Sequence, residues 1–395
     1  MKSFVKSRLS LGAALFAGIL GASGAARGAS HYVIANNDQA GFIVANVSFY
    51  NVSPSGLLTF KQTVSTFGNG ISGGYFGTSR LAVLDSGKEQ CVFASDASGT
   101  IVEIVASSLA VAGNAQGSQM DTGNSNGIGL AVSDEYLYAS FTDSNTIGTF
   151  KVESGCGLTF LNDTPVTGLG GGVINAMAIH GNMLIATYTD GSIQSFDLSG
   201  GTPLSNDDEQ YSTATVKSQG ASYPNSVDIT SDGRLAIFGD TSTSLVVEVS
   251  NISSGKLTPT FVYKSTASIN SSNVMLSPDE SVLYVSNTEG DSVTALFLDK
   301  NTGKLSAGCT SGPLRGISSN FSYLASMVLM GQTGNGGGVY VAEYGSPSWI
   351  GIVRLTTSSG TSGQKCSLQE DPTSPVEDTN SPGLLSIGSY PPRSF

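Results

Sequence analysis

The sequence predicts an all-β fold, a seven-bladed β-propeller of four-stranded blades whose ring is closed by strands from both termini. Three observations predict it. A unit of about 50 residues recurs, the period expected of propeller blades. Within the unit, short β-rich runs and Gly-, Asp- or Asn-centred turns follow one fixed order. No long segment carries apolar residues at the i, i+3, i+4, i+7 spacing of an amphipathic helix. A β-sandwich explains short strands but not that fixed order of turns.

The clearest repeat is a strand pair with a tight turn. Residues 137–147 read LYASFTDSNTI, residues 184–193 LIATYTDGSI, and residues 283–293 LYVSNTEGDSV. Residues 33–44, 92–102 and 235–246 share the form, and 339–353 is a looser seventh copy. These are strands B and C. A Gly-centred turn follows and opens strand D, as in PSGLLTF (54–60), ESGCGLTF (153–160) and NTGKLS (301–306), because Gly supplies positive φ without steric cost. Before each pair stands one more run, such as Gly129–Asp134, Ala176–His180, Ser226–Thr230 and Val274–Asp279, which is strand A. The first copy lacks an A strand before His31, and the C-terminal run Gly383–Tyr390 is expected to supply it and protect the open edges. Residues 30–395 are therefore read as one propeller domain. The Ser-, Gly- and Pro-rich stretch 356–382 is read as a flexible surface loop.

Residues 1–29 read as a signal peptide: Lys2, Lys6 and Arg8, then an uncharged apolar run from Leu9 to Ala22, then small residues. That run is too short for a comfortable membrane span, and no hydrophobic tail of the lipid-anchor type follows Pro382. A secreted protein, extracellular or in a cell wall, is expected, without a membrane span and as a monomer. Only 12% of residues are charged, about half the usual share. The net charge is −12 with no basic stripe, which argues against nucleic acid as a partner. Sequons at Asn46, Asn51, Asn162, Asn251, Asn270 and Asn320 are potential glycan acceptors. Cys91, Cys156, Cys309 and Cys366 are expected to form two disulfides, with three connectivities open.

Residues with chemistry to offer are few. The mature chain has two histidines, His31 and His180, and His180 falls at an A–B turn. Asp38, Asp96, Asp143, Asp190, Asp240 and Asp291 recur near the B–C turns and read as turn formers that bond their own backbone. Asn126, Asn225 and Asn273 fall near the starts of A strands, with Tyr223 and Tyr323 nearby, and suit a small polar molecule or a glycan. No metal or other cofactor is expected.

The stretch Ser277–Asn287 (SPDESVLYVSN), the Gly-x-Leu strand starts at Gly56, Gly157 and Gly303, and the opening His31–Asn37 (HYVIANN) resemble the seven-bladed lactonase family, which includes bacterial phosphogluconolactonases and fungal carboxymuconate cyclases. The resemblance covers residues 30–395, and the secreted, sequon-rich form is similar to the fungal extracellular branch. It implies that function resides in the central channel, where the family uses His, Arg and Glu. The matching positions here hold Arg80, Gly129, Ala176, Ser226, Asn273 and Ser326. Arg80 is the one charged residue among them and the best catalytic candidate, as a clamp for a carboxylate. The channel histidines of the family have no match. Two functions are expected on this basis: a non-catalytic extracellular or cell-wall binding glycoprotein, or a lactonase or lactonizing cycloisomerase acting on a small carboxylated or lactone substrate.

Overall fold

A computed structural model of the chain describes residues 31–37, 45–66, 68, 79–96, 98–117, 128–205, 211–212, 223–241, 244–265, 270–316, 323–330, 337–344, 347–360, 363–378, 384–390 and 392. The signal segment 1–29, Asp38, Asn126 and Asn320 lie outside the described residues.

Seven antiparallel sheets form the ring. The first blade uses β1 (Tyr32–Asn37), β2 (Asn46–Val52) and β3 (Leu58–Ser65). The second is β4 (Leu81–Asp85), β5 (Gln90–Ser95), β6 (Thr100–Val105) and β7 (Ala110–Gln116). The third is β8 (Ile128–Val132), β9 (Tyr136–Phe141), β10 (Thr146–Val152) and β11 (Leu158–Pro165). The fourth is β12 (Ile174–His180), β13 (Met183–Tyr188), β14 (Ser192–Asp197) and two short pieces, β15 (Leu204–Ser205) and β16 (Tyr211–Ser212). The fifth is β17 (Pro224–Ile229), β18 (Leu235–Thr241), β19 (Leu245–Ser253) and β20 (Lys256–Lys264). The sixth is β21 (Ser271–Leu276), β22 (Val282–Asn287), β23 (Ser292–Asp299) and β24 (Lys304–Thr310). The seventh is β25 (Tyr323–Leu329), β26 (Gly338–Tyr344), β27 (Ser348–Gly360), β28 (Gly363–Glu370) and β29 (Val376–Asp378). β30 (Leu384–Tyr390) pairs with β1 as the A strand of the first blade, so both ends of the chain meet in one sheet.

Burial explains the sequence pattern. A blade is covered by neighbours on both faces, so its B strand is buried throughout and mostly apolar: β22 (VLYVSN) and β1 (YVIANN) are buried at every position. The outer D strand faces solvent along the rim and alternates, as in β20. The hydrophobic clusters lie between blades. One joins Ile34 and Phe49 of the first blade to Val92 and Val102 of the second, and another joins Tyr284 and Val293 of the sixth to Leu324 and Val341 of the seventh.

Polar clasps tie neighbouring blades near the inner ends. Asn36 donates to the carbonyls of Arg80 and Ser95 (3.3 and 3.1 Å), and Ser95 Oγ donates to the carbonyl of Ile128 (2.6 Å). Asn175 Nδ2 donates to the carbonyl of Pro224 (3.4 Å). Two disulfides act further out: Cys91–Cys156 links the second blade to the third, and Cys309–Cys366 links the sixth to the seventh.

One local expectation changes. Among the described residues of the stretch 356–382, most are strand rather than loop. β27 runs to Gly360 and pairs residue by residue with β28, and β29 pairs with the other end of β27. A rim strand buries little, so Ser, Thr and Gly suffice there and the apolar signal of a strand is missing. In the third blade the positive φ of the expected Gly-centred turn falls on Gly155, in the 3-10 turn Ser154–Cys156, and Gly56 and Gly303 adopt it in theirs (φ +79° and +69°).

Candidate functional site: the central channel

The four A strands β12, β17, β21 and β25 each carry a register break against their B strand, leaving Asn175, Asn225, Ser272 and Ala325 as the extra residues. β30 breaks in the same way between its pairings with Asn36 and Asn37. A bulge shifts the alternation by one and re-aims the side chains beside it. The residues after four of these bulges, Ala176, Ser226, Asn273 and Ser326, line a central cavity of about 1080 Å³. All four stand at positions aligned from the sequence.

β4 and β8 pair without a break. Regular alternation there turns Ser79, Leu81 and Val83 of the second blade toward the cavity. Arg80 goes the other way. Its side chain is 1% exposed and is not part of the cavity wall; its N–H donates to Ser386 Oγ (3.1 Å) and its carbonyl accepts from Asn36 and Ser95. The structure places Arg80 as a buried residue of the ring beside the cavity. Gly129 is likewise off the cavity wall.

The remaining candidates divide. Asn273 lines the cavity, half-buried, and its side-chain amide has no hydrogen-bond partner among the described residues. Asn225 sits in a bulge, with its Oδ1 buried and off the wall. Tyr323 begins β25, and its side chain lies outside the described part. His180 ends β12 at the A–B turn and packs against Gly233 of the next blade. Asp96 bonds the amide and hydroxyl of Ser98, and Asp190 bonds the amides of Gly170, Gly172 and Ser192. These are turn-forming roles, and in them the Gly168–Gly172 string acts as a donor to a carboxylate.

Alternation along the aligned strands points to wall residues two and four positions on: Asp228, Met275, Val328 and Met330. With Met177 and Met327 they make much of the cavity flexible thioether and aliphatic surface. His31, Ser53, Pro54 and Pro278 also line it, so the cavity reaches the face built from A–B and C–D turns. No Arg or Lys stands on the wall among the described residues. The one carboxylate among its described residues, Asp228, accepts the Ile229 amide on one oxygen (2.8 Å) and the Leu276 amide of the next blade on the other (2.7 Å). Burial pushes the Tyr340 hydroxyl up to about 12, and burial aided by Asp85 does the same for Tyr390. Both rings therefore face the cavity as neutral phenols at ordinary pH. Such a wall is suited to an uncharged molecule of mixed apolar and hydrogen-bonding character, because a charge placed there finds little compensation.

The one cluster with metal-ligand spacing among the described residues is Glu89, Cys91 and Cys156, and its two sulfurs are joined in a disulfide. No described helix is long and apolar enough to cross a membrane.

The ring of seven four-stranded blades around a lined channel defines a seven-bladed β-propeller. The model of the lactonase family of seven-bladed β-propellers matches residues 118–306, so this stretch of the chain is similar to that family. No curated protein matches the chain. Three solved structures share the fold. A candidate 6-phosphogluconolactonase from Bacteroides fragilis is 13% identical, with a TM-score of 0.65 over 91% of this chain and 98% of that one. The periplasmic gluconolactonase of Pseudomonas aeruginosa is also 13% identical, at 0.64 over 91% and 99%. A protein of unknown function from Desulfotomaculum acetoxidans is 12% identical, at 0.62 over 91% and 98%.

Proposed function

We propose that this lactonase-like propeller is a secreted, glycosylated protein that binds a small uncharged molecule in its central channel without converting it. The cavity wall carries the reading: thioether and aliphatic surface from Met177, Met275, Met327 and Met330, the free amide of Asn273, the hydroxyls of Ser226 and Ser326, and Asp228 held by two backbone amides. General acid–base work needs a group free to exchange protons with the substrate. Asp228 is occupied, Arg80 is off the wall, and His31 stands exposed at the cavity edge. The two disulfides are compatible with an oxidising compartment and agree with the signal-like residues 1–29 and the sequons.

A second reading has its own support. The family is named for lactone chemistry, and an uncharged lactone is the kind of molecule that this wall accepts. In that reading His31, at the edge of the cavity, activates the water and the channel is a lactonase site. Fold alone does not choose between the two. The deciding experiment pairs binding with turnover on one panel of uncharged lactones. Saturable binding with no hydrolysis above background supports the first reading. Hydrolysis abolished by His31→Ala in a folded protein replaces it with the second.

A further inference from the structure

Six sequons are present, yet the fold treats the five described ones differently. We infer that Asn51 and Asn251 are the glycan-bearing acceptors, and that both glycans stand on the face toward which the channel opens. This inference rests on the secreted reading above.

The two sites are the same place in two blades. Asn51 lies in β2 opposite Tyr32, the first residue of its B strand, and Asn251 lies in β19 opposite Leu235, the first residue of its own. Each follows a register break in the C–D ladder, at Phe49/Tyr50 and at Val249/Ser250. The next residue donates its amide in the same way, Val52 to the carbonyl of His31 (2.9 Å) and Ile252 to that of Arg234 (2.8 Å). Both asparagines are exposed, and neither side-chain amide has a hydrogen-bond partner among the described residues. Val52 and Ser53, the rest of the first sequon, line the channel cavity, so a sugar on Asn51 stands at its rim.

The other described sequons are built into the fold. Asn46 is half-buried and accepts from Asn37 Nδ2 (3.1 Å), and its sequon hydroxyl, Ser48, is fully buried. Asn162 is half-buried between Thr164 and Thr202 (3.5 Å each). Asn270 donates to Glu289 Oε1 (3.2 Å), has a buried Oδ1, and its sequon hydroxyl, Ser272, is 2% exposed. Glycosylation joins Nδ2 to C1 of the first sugar of a lipid-pyrophosphate-linked oligosaccharide; Nδ2 loses one proton and the lipid pyrophosphate leaves. At Asn46 or Asn270 the bulky product displaces packing within a blade, and at Asn162 a contact between the third and fourth blades, so chains carrying it are lost from the folded pool.

The test is site occupancy on the full chain secreted from a eukaryotic host. Enzymatic deglycosylation in heavy-oxygen water converts each occupied Asn to a labelled Asp, read by peptide mass spectrometry. Label at Asn51 and Asn251, its absence at Asn46, Asn162 and Asn270, and loss of the two matching mobility shifts in Asn51→Gln and Asn251→Gln, support the inference. Label at the three built-in positions with Asn51 and Asn251 bare overturns the inference while the glycoprotein reading stands. A folded, secreted chain with no label at any sequon overturns both.

Discussion

Tyr340 reaches across the seam that closes the ring and donates its hydroxyl to the carbonyl of Gly56 at 2.8 Å. Tyr340 is in β26 of the seventh blade and Gly56 is in the C–D turn of the first. The same contact recurs between Tyr138 of the third blade and Gly201 of the fourth, at 2.9 Å. Both glycines have φ of +79°, a turn geometry that presents the carbonyl to the neighbouring ring. The closing seam thus uses a bond found elsewhere in the circle, although its strands come from opposite ends of the chain.

Tyr340→Phe keeps the packing and removes the donor. It is expected to lower stability by about 1 kcal/mol, the usual net worth of a buried hydrogen bond, with more lost if the Gly56 carbonyl finds no water. The shift in urea midpoint at unchanged slope checks it. Tyr138→Phe should cost a similar amount; a closing seam that is uniquely fragile would instead make the Tyr340 variant much the worse of the two.

Glu343 faces Trp349 across the β26–β27 ladder and is fully buried. Burial, then the charges of Glu370 and Asp291, push its carboxyl up to about 8, against the opposing pull of the Gly316 amide and Arg315. An unfolded Glu titrates at about 4.3. Between those values the folded protein holds a proton that the unfolded chain has released. Stability therefore falls as pH rises through that window, by up to about 1.4 kcal/mol per pH unit, and levels off above it. Glu343→Gln should flatten the fall, gaining most over the parent above about pH 8 and little near pH 4. Trp349 is the chain's single tryptophan, so its emission is expected to titrate near the same pH in the parent and not in the variant.

The Cys91–Cys156 bond closes a separation of 65 residues. Replacing both cysteines by Ser is expected to cost about 4 kcal/mol on the chain-entropy estimate, within the usual range for such crosslinks. Denaturation of the oxidised parent and the double variant measures it. The η1 turn Ser154–Cys156 should then lose its hold on the second blade, which hydrogen exchange across residues 153–158 would report as faster.

Much of the fold was legible because a propeller repeats its instructions. Runs such as LYASF and LYVSN are buried on both faces and read as strands in any window, and the first blade's missing A strand was met by β30. The rim was less legible: β28 buries little and looked like a loop. The site was half legible. Alignment to the start of strand A found Ala176, Ser226, Asn273 and Ser326, but the same alignment put Arg80 on the wall. The difference is one bulge residue, present in β12, β17, β21 and β25 and absent from β4, and no single-sequence pattern announces it. Nothing in the sequence marks Met177, Met275, Met327 and Met330 as wall residues, because period-two alternation marks a side without saying whether it faces a neighbouring blade or an open channel.

The most direct test of the central claim is a calorimetric titration of the purified protein with matched pairs, an uncharged aromatic lactone and its carboxylated counterpart, beside a turnover assay on both. The channel described here predicts that the uncharged partner binds at least about tenfold tighter, a difference of about 1.4 kcal/mol. It also predicts that Met275→Trp, which adds bulk to the cavity wall, weakens binding in a folded protein, and that neither compound is converted above background. Tighter binding of the carboxylated partner, or its turnover, would contradict the account and return a cationic clamp to the channel.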